Sequence, residues 1–463
     1  MGCFLDWLSV LKFARYAMKM EELKKFSEGQ DLTRLCLLIF FLSYLIYVIS
    51  PQGQPAFLNL PHSGEVVRVA LSVAHRGTFA DPYHSLATGY TAHTAPVYVL
   101  FFAAIAKLFG EGFTGAMVLW GINIGFLALQ LALLPVLSKR LGLGAGPGVL
   151  AAVFGMVFQP YRILPEWESL MVGALMILLC VLTVPHFQQP ADWKHSLLLG
   201  FLWGIGLLAN PQSVLLLLLW PHFAASGNQP WQLSRARRAM VVMLAGTALA
   251  CLPWFIRNYE RFHTVFFIRD NLGLELATSN NSCAQPTMLA NFLSGCHKAT
   301  HPNPNPAIAT QVFEKGEIRF NQDELRTAVG WIETHPRQFA SLTLRRFLKF
   351  WFPYLQSLRY AIPSGVLTVL SFVGLAVLFR RKRRAAWILG STLGVYPLIH
   401  YIVQFEARYR YPIYWATFLP AAYVVLEAVR WVRKTPDSEV AGEPGEQELS
   451  SVLAGNAGAE GGS

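Results

Sequence analysis

The chain has 463 residues, of which 54% are hydrophobic and only 14% are charged, and its mean hydropathy is +0.38. This composition excludes an ordinary soluble enzyme, because apolar runs bounded by arginine clusters recur along most of the chain. A bilayer core offers no water to backbone polar groups, so these runs must be helical, and the sequence predicts an all-α polytopic membrane protein. The net charge of +11 is typical of basic helix ends on the cytoplasmic side and does not indicate nucleic-acid binding.

Ten apolar windows predict ten membrane spans. They fall at residues 35–50, 114–137, 146–159, 169–185, 196–210, 212–225, 239–255, 363–379, 386–403 and 411–430. With residues 1–34 as a cytoplasmic amphipathic N-terminus, the basic clusters that begin at Lys139, Arg235, Arg380 and Arg430 all follow even-numbered spans and lie inside. No small-residue cleavage site precedes an apolar segment, so the first span is predicted to be a retained anchor.

Residues 94–110 are apolar but shorter than the roughly 20 residues that a span needs. Counting them would reverse the side of every later basic cluster, so we interpret them as a helix on the outer membrane surface. The predicted organisation is a membrane module at 35–255 with external loops 51–113 and 160–168, an external segment at 256–362, membrane helices at 363–430 and a disordered cytoplasmic tail at 431–463.

The first external loop, GEVVRVALSVAHRGTFADPY, holds an acid at a position suited to chemistry. Glu65, Arg68 and Ser72 recur at helical spacing, which predicts an amphipathic helix. A carboxylate beside apolar surface is costly to ionise unless a cation or donor compensates, so Glu65 is a candidate general base or metal ligand. The alternative is an exposed glutamate that caps the helix or forms a salt bridge.

A second acidic loop, QPYRILPEWESL, places Glu166 and Glu168 at the outer membrane boundary beside Arg162. Charges at such a boundary indicate function by default. The alternative is interfacial anchoring by Trp167, with both acids directed to water.

Arginines crowd the predicted outer face, against the usual charge bias. The planar, permanently charged guanidinium group suits phosphate oxygens, so as a set these arginines favour a site for a phospholipid or a polyprenyl phosphate. For any one arginine, headgroup anchoring or pairing with an acid such as Glu260, Glu275 or Glu406 is the alternative. The arginines are Arg257, Arg261, Arg269, Arg345, Arg346, Arg408 and Arg410.

Six cysteines include no CxxC pair, so a zinc or thioredoxin-like site has no support. Cys283 and Cys296 share one polar external loop, and we expect them to form a disulfide beside Arg269 in an oxidising compartment. Two unpaired thiols are the alternative.

The order of these features resembles the GT-C superfamily of membrane glycosyltransferases over roughly residues 30–430. The likeness is strongest to its dolichyl-phosphate-mannose-protein mannosyltransferase-like branch, also called glycosyltransferase family 39-like, which includes lipid A aminoarabinose transferases. The segments GYTAHTAPVYVLFFAAIAKLFG, PWFIRNYERF, IRDNLGLELATSN and ARYRYPI look like those of bacterial members. The resemblance implies a GT-C-like bundle of about ten transmembrane helices in the bacterial inner membrane.

In that superfamily a carboxylate of the first external loop is similar in role to a catalytic base, often within an Asp-Glu pair. This chain departs from the pair, because Gly64 precedes Glu65. Glu166 and Glu168 match the second acidic motif, with Glu168 preferred because it follows Trp167. By the same resemblance, the donor phosphate would be bound by Arg257, Arg269, Arg408 and Arg410.

The implied reaction is inverting transfer of a sugar from a polyprenyl-phosphate donor to an envelope glycan, lipid or protein on the external face. Glu65 would take the proton of the acceptor while the arginines stabilise the departing phosphate. A divalent metal ion held by Glu65 and Glu168 is an open alternative to catalysis without a metal. A lipid-linked glycan transporter or flippase would instead place charges inside the spans, and a polysaccharide polymerase or ligase would use the same type of donor.

Overall fold

The computed structural model describes residues 30–50, 64–158, 160–164, 167–189, 192–227, 229–353 and 358–434, and these residues are almost entirely helical. Two isolated bridges, Ala80 with Tyr90 and Thr287 with Phe405, are the extended pairings in these ranges. Helices satisfy their own backbone hydrogen bonds, which is what a bilayer demands of a spanning segment. The predicted all-α polytopic fold is confirmed.

Nine helices lie among the described residues up to residue 262. They are α1 (Gln30–Ile49), α2 (Glu65–Arg76), α3 (Pro96–Phe109), α4 (Phe113–Arg140), α5 (Ala145–Phe158), α6 (Ser169–Gln188), α7 (Trp193–Ala209), α8 (Val214–Ala225) and α9 (Pro230–Phe262). A 3₁₀ turn at Pro211–Ser213 joins α7 to α8.

Ten further helices complete the described chain. They are α10 (Leu272–Ser279), α11 (Met288–Leu293), α12 (Cys296–Thr300), α13 (Pro306–Lys315), α14 (Glu317–Thr334), α15 (Pro336–Trp351), α16 (Leu358–Arg381), α17 (Arg383–Val395), α18 (Leu398–Ile402) and α19 (Tyr414–Lys434). A 3₁₀ segment, Ala407–Ile413, precedes α19.

Seven segments among the described residues are long and apolar enough to cross a membrane. They are Asp31–Ile49, Phe113–Arg140, Ser169–Gln188, Pro230–Phe262, Ala361–Arg381, Arg383–Ile402 and Ala407–Val432. The other three predicted spans, at 146–159, 196–210 and 212–225, fall on α5, α7 and α8, which have 14, 17 and 12 residues. These three apolar helices are shorter than the roughly 20 residues of a typical span.

The apolar segment at 94–110 forms α3, a 14-residue helix that packs against α2 and α4. Tyr98, Phe102 and Ala106 lie on its buried face. Its apolar composition is therefore explained by packing against other helices. Its place at the outer membrane surface stays a prediction.

Contacts of two arginines with neighbouring helices define one end of the bundle. Arg381, at the end of α16, pairs with Glu427 near the end of α19, and Arg384, at the start of α17, donates to the carbonyl of Ser226 beyond α8. Because these helices alternate in direction, the start of α8, the end of α17 and the start of α19 lie at the opposite end. We call these the basic end and the cavity end.

Residues 1–29 and 435–463, which contain most of the predicted N-terminal segment and of the predicted disordered tail, lie outside the described residues. The predicted domain boundaries stay predictions.

Candidate functional site

A cavity of about 450 Å³ opens at the cavity end. The starts of α2, α6, α8 and α10 line it, together with residues from the end of α17 through the 3₁₀ segment at 407–413. Four of the predicted site residues line this one cavity: Glu65, Glu168, Arg269 and Arg408. The alternating directions of the helices thus bring together residues that are far apart in sequence.

Glu65 is the first residue of α2, and each of its carboxylate oxygens meets a histidine. His93 Nε2 lies 2.9 Å from Oε2, and His301 Nε2 lies 3.3 Å from Oε1. Burial alone would raise the pKa of Glu65, but His93 and then His301 outweigh burial and hold this pKa well below its ordinary value. The cavity therefore contains a firmly ionised carboxylate.

Glu275 on α10 supplies a third carboxyl group to the cavity. It accepts a hydrogen bond from Asn271 Nδ2 at 3.3 Å, and burial raises its pKa. Burial also raises the pKa of the nearby Asp270, to about 6. The acids at this site thus differ in proton affinity, as in sites where one carboxyl group holds a proton and another stays charged.

Arg269 lines the cavity and contacts the backbone of His93. Its Nε donates to the carbonyl oxygen of His93 at 2.9 Å, which places the guanidinium group beside the histidine that contacts Glu65. Its two terminal nitrogens hold no hydrogen bond to the described residues. A cation with free donors that lines a cavity is suited to bind an anion.

Arg408, by contrast, is surrounded by partners. Its Nε donates to Glu406 at 2.6 Å, and one terminal nitrogen lies 3.5 Å from Glu168. The guanidinium carbon also lies 5.4 Å from the ring centroids of Trp167 and Tyr409. Glu168 therefore faces Arg408, and two carboxylates already balance the charge of this arginine.

Arg257 and Arg410 do not line the cavity, although the sequence predicted both as phosphate ligands. Arg257 donates to the carbonyls of Phe79 and Thr91, each at 2.9 Å. Arg410 is 1% exposed and donates to the carbonyl of Trp351 at 2.8 Å. The correction has a simple physical reason: backbone carbonyls of neighbouring segments already occupy these guanidinium groups.

The metal ion proposed for Glu65 and Glu168 stays a prediction. Among the described residues there is no group of three or more His, Cys, Asp or Glu side chains that could hold a metal. The oxygens of Glu65 contact histidines, and Glu168 pairs with Arg408. Glu166 lies outside the described residues.

A disulfide joins Cys283 to Cys296, whose Cα atoms are 5.6 Å apart. The loop that it closes leads into α12, where the His297 ring stacks on His301, with centroids 4.6 Å apart. The loop therefore approaches Glu65 through His301, and its predicted place beside Arg269 stays a prediction.

Sequence reasoning missed His93 and His301 and treated Glu275 only as a pairing partner. His93 lies three residues before the start of α3, so a polar residue close to a helix entrance was a usable signal. His301 follows the second cysteine by five residues, but nothing local indicates that its ring reaches Glu65.

Neither a protein-family model nor a curated protein matches the sequence. Among solved structures, the oligosaccharyltransferase of Archaeoglobus fulgidus, determined with zinc and sulfate, matches 86% of this chain with 14% identity and a TM-score of 0.50. The match covers 50% of that protein, so the chain spans about half of its length.

Two structures of ArnT from Cupriavidus metallidurans, one bound to undecaprenyl phosphate and one in the apo state, match 85% of this chain and 78% of their own length. Their identity is 14%, and their TM-scores are 0.38 and 0.34. It is the likeness to the oligosaccharyltransferase that bears on the fold. The chain is a multi-pass membrane protein with a GT-C-like fold.

Proposed function

We propose that the chain is an inverting glycosyltransferase that moves a sugar from a polyprenyl-phosphate donor to a hydroxyl or amine acceptor. The observation that carries the proposal is the single cavity in which the ionised Glu65 lies near Arg269, an arginine with free donors. The likeness to an oligosaccharyltransferase supports glycosyl transfer as the class of reaction.

In the proposed reaction, the acceptor oxygen or nitrogen attacks the anomeric carbon as the bond from that carbon to the phosphate oxygen breaks. Glu65 takes the acceptor proton, and Arg269 stabilises the charge on the departing phosphate. Attack opposite to the leaving group inverts the anomeric configuration in one step. The low pKa of Glu65 makes it a weak base, so proton transfer follows late, when bond formation has made the acceptor strongly acidic.

We further propose that the cavity faces the periplasm from a bacterial inner membrane. The arginine-rich basic end would lie in the cytoplasm by the charge-bias rule, and the cavity lies at the other end of the same helices. The acceptor would then be an envelope glycan, lipid or protein.

Replacement of Glu65 by Gln tests the proposal, because it removes the proton acceptor and nearly preserves shape. We expect turnover to fall about 100-fold or more. A deletion strain should accumulate a polyprenyl-phosphate sugar, and a plasmid copy of the wild-type chain should clear it whereas Glu65→Gln should not. Lipid extracts analysed by mass spectrometry identify the sugar at the same time.

Glu260→Gln is the matched control, since Glu260 is an exposed acid near the end of α9. Clearance of the lipid-linked sugar by Glu65→Gln at the wild-type rate would contradict the proposed role of Glu65. Accumulation of a lipid-linked oligosaccharide instead of a lipid-linked sugar would favour a polymerase, a ligase or a flippase.

A further inference from the structure

The Glu65 carboxylate is held between two histidines that come from distant parts of the chain. His93 lies between α2 and α3, and His301 follows α12, yet both Nε2 atoms point at the same carboxylate. The side chains of His93 and His301 are 1% and 6% exposed, whereas that of Glu65 is 23% exposed. The histidines therefore lie behind the carboxylate, and the carboxylate faces the cavity.

The hydrogen-bond partners of the two rings indicate that they serve Glu65. His93 Nδ1 is buried and has no hydrogen-bond partner among the described residues, so Glu65 is the polar partner of this ring. A buried ring nitrogen without a partner is costly, and a fold tolerates it when the other nitrogen is needed in place.

The tautomer of His301 follows from its second contact. The backbone N–H of Asn303 donates to His301 Nδ1 at 3.1 Å, so Nδ1 carries a lone pair. In the neutral ring the proton then lies on Nε2, which faces Glu65. Burial lowers the pKa of His301 to about 3, which keeps this ring neutral.

The backbone around His93 is fixed by a buried acid. Glu317, at the start of α14, accepts hydrogen bonds from the Thr91 hydroxyl group and, at 2.6 Å, from the Ala92 N–H group. The His93 N–H group in turn donates to Thr91 Oγ1 at 2.9 Å. Together with Arg269, which binds the His93 carbonyl, these contacts hold the ring in one position.

We propose that His93 and His301 are positioning residues, which fix the orientation of the Glu65 carboxylate so that its remaining lone pairs face the acceptor. This inference rests on the proposed function. A glutamate side chain has several rotatable bonds, and a base acts efficiently when its oxygen is held within hydrogen-bond reach of the proton that it takes.

Paired amide substitutions test the role of the rings. Gln places an amide donor near the position of Nε2, whereas the shorter Asn reaches only the position of Nδ1. We expect His93→Asn to lower kcat about 10- to 100-fold, by analogy with the loss found when residues that orient the ligands of a metal site are removed. His93→Gln should restore most of the rate, and the KM for the lipid-linked donor should stay unchanged in both variants, because Arg269 binds the backbone of His93 and not its ring.

The same pair at His301 keeps the test decisive if the His93 variants fold poorly. Equal loss of kcat in the Asn and Gln variants at both positions would overturn the inference, because packing and not a donor would then be what matters. Wild-type kcat in the Asn variants alongside an inactive Glu65→Gln would also overturn it, while the proposed function stands. An active Glu65→Gln would instead overturn the proposed function itself.

Discussion

Arg269 and Arg408 both line the cavity, but their surroundings assign them different tasks. Arg408 is paired with Glu406 and Glu168, whereas the terminal nitrogens of Arg269 are free among the described residues. An anion that approached Arg408 would compete with two carboxylates. Arg269 is therefore the stronger candidate for the donor phosphate.

Arg269→Lys should weaken donor binding about tenfold or more, because a lysine loses the planar, two-pronged contact with phosphate oxygens. Titration of the purified protein with polyprenyl phosphate checks this expectation. Arg345→Lys is the control, since Arg345 is exposed and does not line the cavity. Equal affinity of the two variants would argue against Arg269 as the phosphate ligand.

Glu317 provides a pH-dependent prediction. Burial raises its pKa to about 7, whereas the pKa of a glutamate in the unfolded chain is about 4.3. Between these values the folded chain holds a proton that the unfolded chain has lost, so the free energy of unfolding falls as pH rises through this window. Glu317→Gln mimics the protonated acid and should lose less stability between about pH 5 and 7.

Unfolding temperatures of the wild type and Glu317→Gln, measured against pH in the same detergent, give the comparison. Asp270 and Glu275 also have raised pKa values, so they too lower the unfolding temperature as pH rises. The difference between the two proteins is therefore the informative quantity. Parallel curves would show that Glu317 does not titrate in this range.

How far single residues could be predicted depends on where their partners lie. Glu65 was predictable, because an acid at the start of an amphipathic run is a local pattern. Arg257 and Arg410 could not be told apart from Arg269, since the difference lies in which nitrogens distant carbonyls occupy: the terminal nitrogens of Arg257 and Arg410, but only the Nε of Arg269. No local pattern reports such contacts.

At the scale of elements, the segment between Cys283 and His301 contacts both the chain beside Arg408 and the Glu65 side of the cavity. Phe405 donates to the carbonyl of Pro286 at 2.9 Å, and Asn291 Nδ2 donates to Gln404 at 2.7 Å. These contacts lie next to Glu406 and Arg408, whereas the far end of the segment reaches Glu65 through His301. The disulfide closes the loop that contains Pro286 and Asn291, and His301 follows this loop by five residues.

Removal of the disulfide should therefore affect stability and turnover together. Closing a loop of about 15 residues stabilises a fold by about 3 kcal/mol in the chain-entropy model. We expect Cys283→Ser combined with Cys296→Ser to lower the unfolding temperature and to reduce kcat. Cys251→Ser, which changes an unpaired cysteine within α9, should change neither. Wild-type kcat without the disulfide would show that the loop does not position the site.

At the scale of the whole molecule, the bundle separates its functions by end. The contacts of Arg381 and Arg384 mark the basic end, and the cavity marks the other. Ser234 is exposed near the start of α9, which lies at the basic end. Leu293 is 81% exposed on α11, which comes after α9 has crossed to the cavity end. These two positions should lie on opposite sides of the membrane.

Single cysteines introduced as Leu293→Cys and Ser234→Cys report this sidedness. In intact cells a membrane-impermeant maleimide should modify position 293, and it should reach position 234 only after permeabilisation. Each cysteine is introduced into a protein that keeps the Cys283–Cys296 disulfide and in which the other cysteines are replaced. The reverse pattern would place the cavity in the cytoplasm and would contradict an envelope acceptor.

The fold as a whole was more predictable than the site. Apolar windows report transfer from water to lipid, which depends on composition, so helices occur at all ten predicted positions. The windows at 146–159, 196–210 and 212–225 were already shorter than a typical span in the sequence, and α5, α7 and α8 are short as well. The segment at 94–110 was separated from the spans by its length and by the pattern of basic clusters, and its place outside the membrane stays a prediction.

The short length of α8 affects how deep in the membrane a lipid-linked substrate would bind. Its 12 residues rise only about 18 Å, whereas the hydrocarbon layer is about 30 Å thick. One end of α8 lies beside Ser226 at the basic end, and the other, Val214, lines the cavity. If the basic end lies at one face of the layer, the floor of the cavity lies within the layer and not at its other face. Under the proposed function, a lipid-linked phosphate would then enter the cavity at a level where its long tail can stay among the acyl chains.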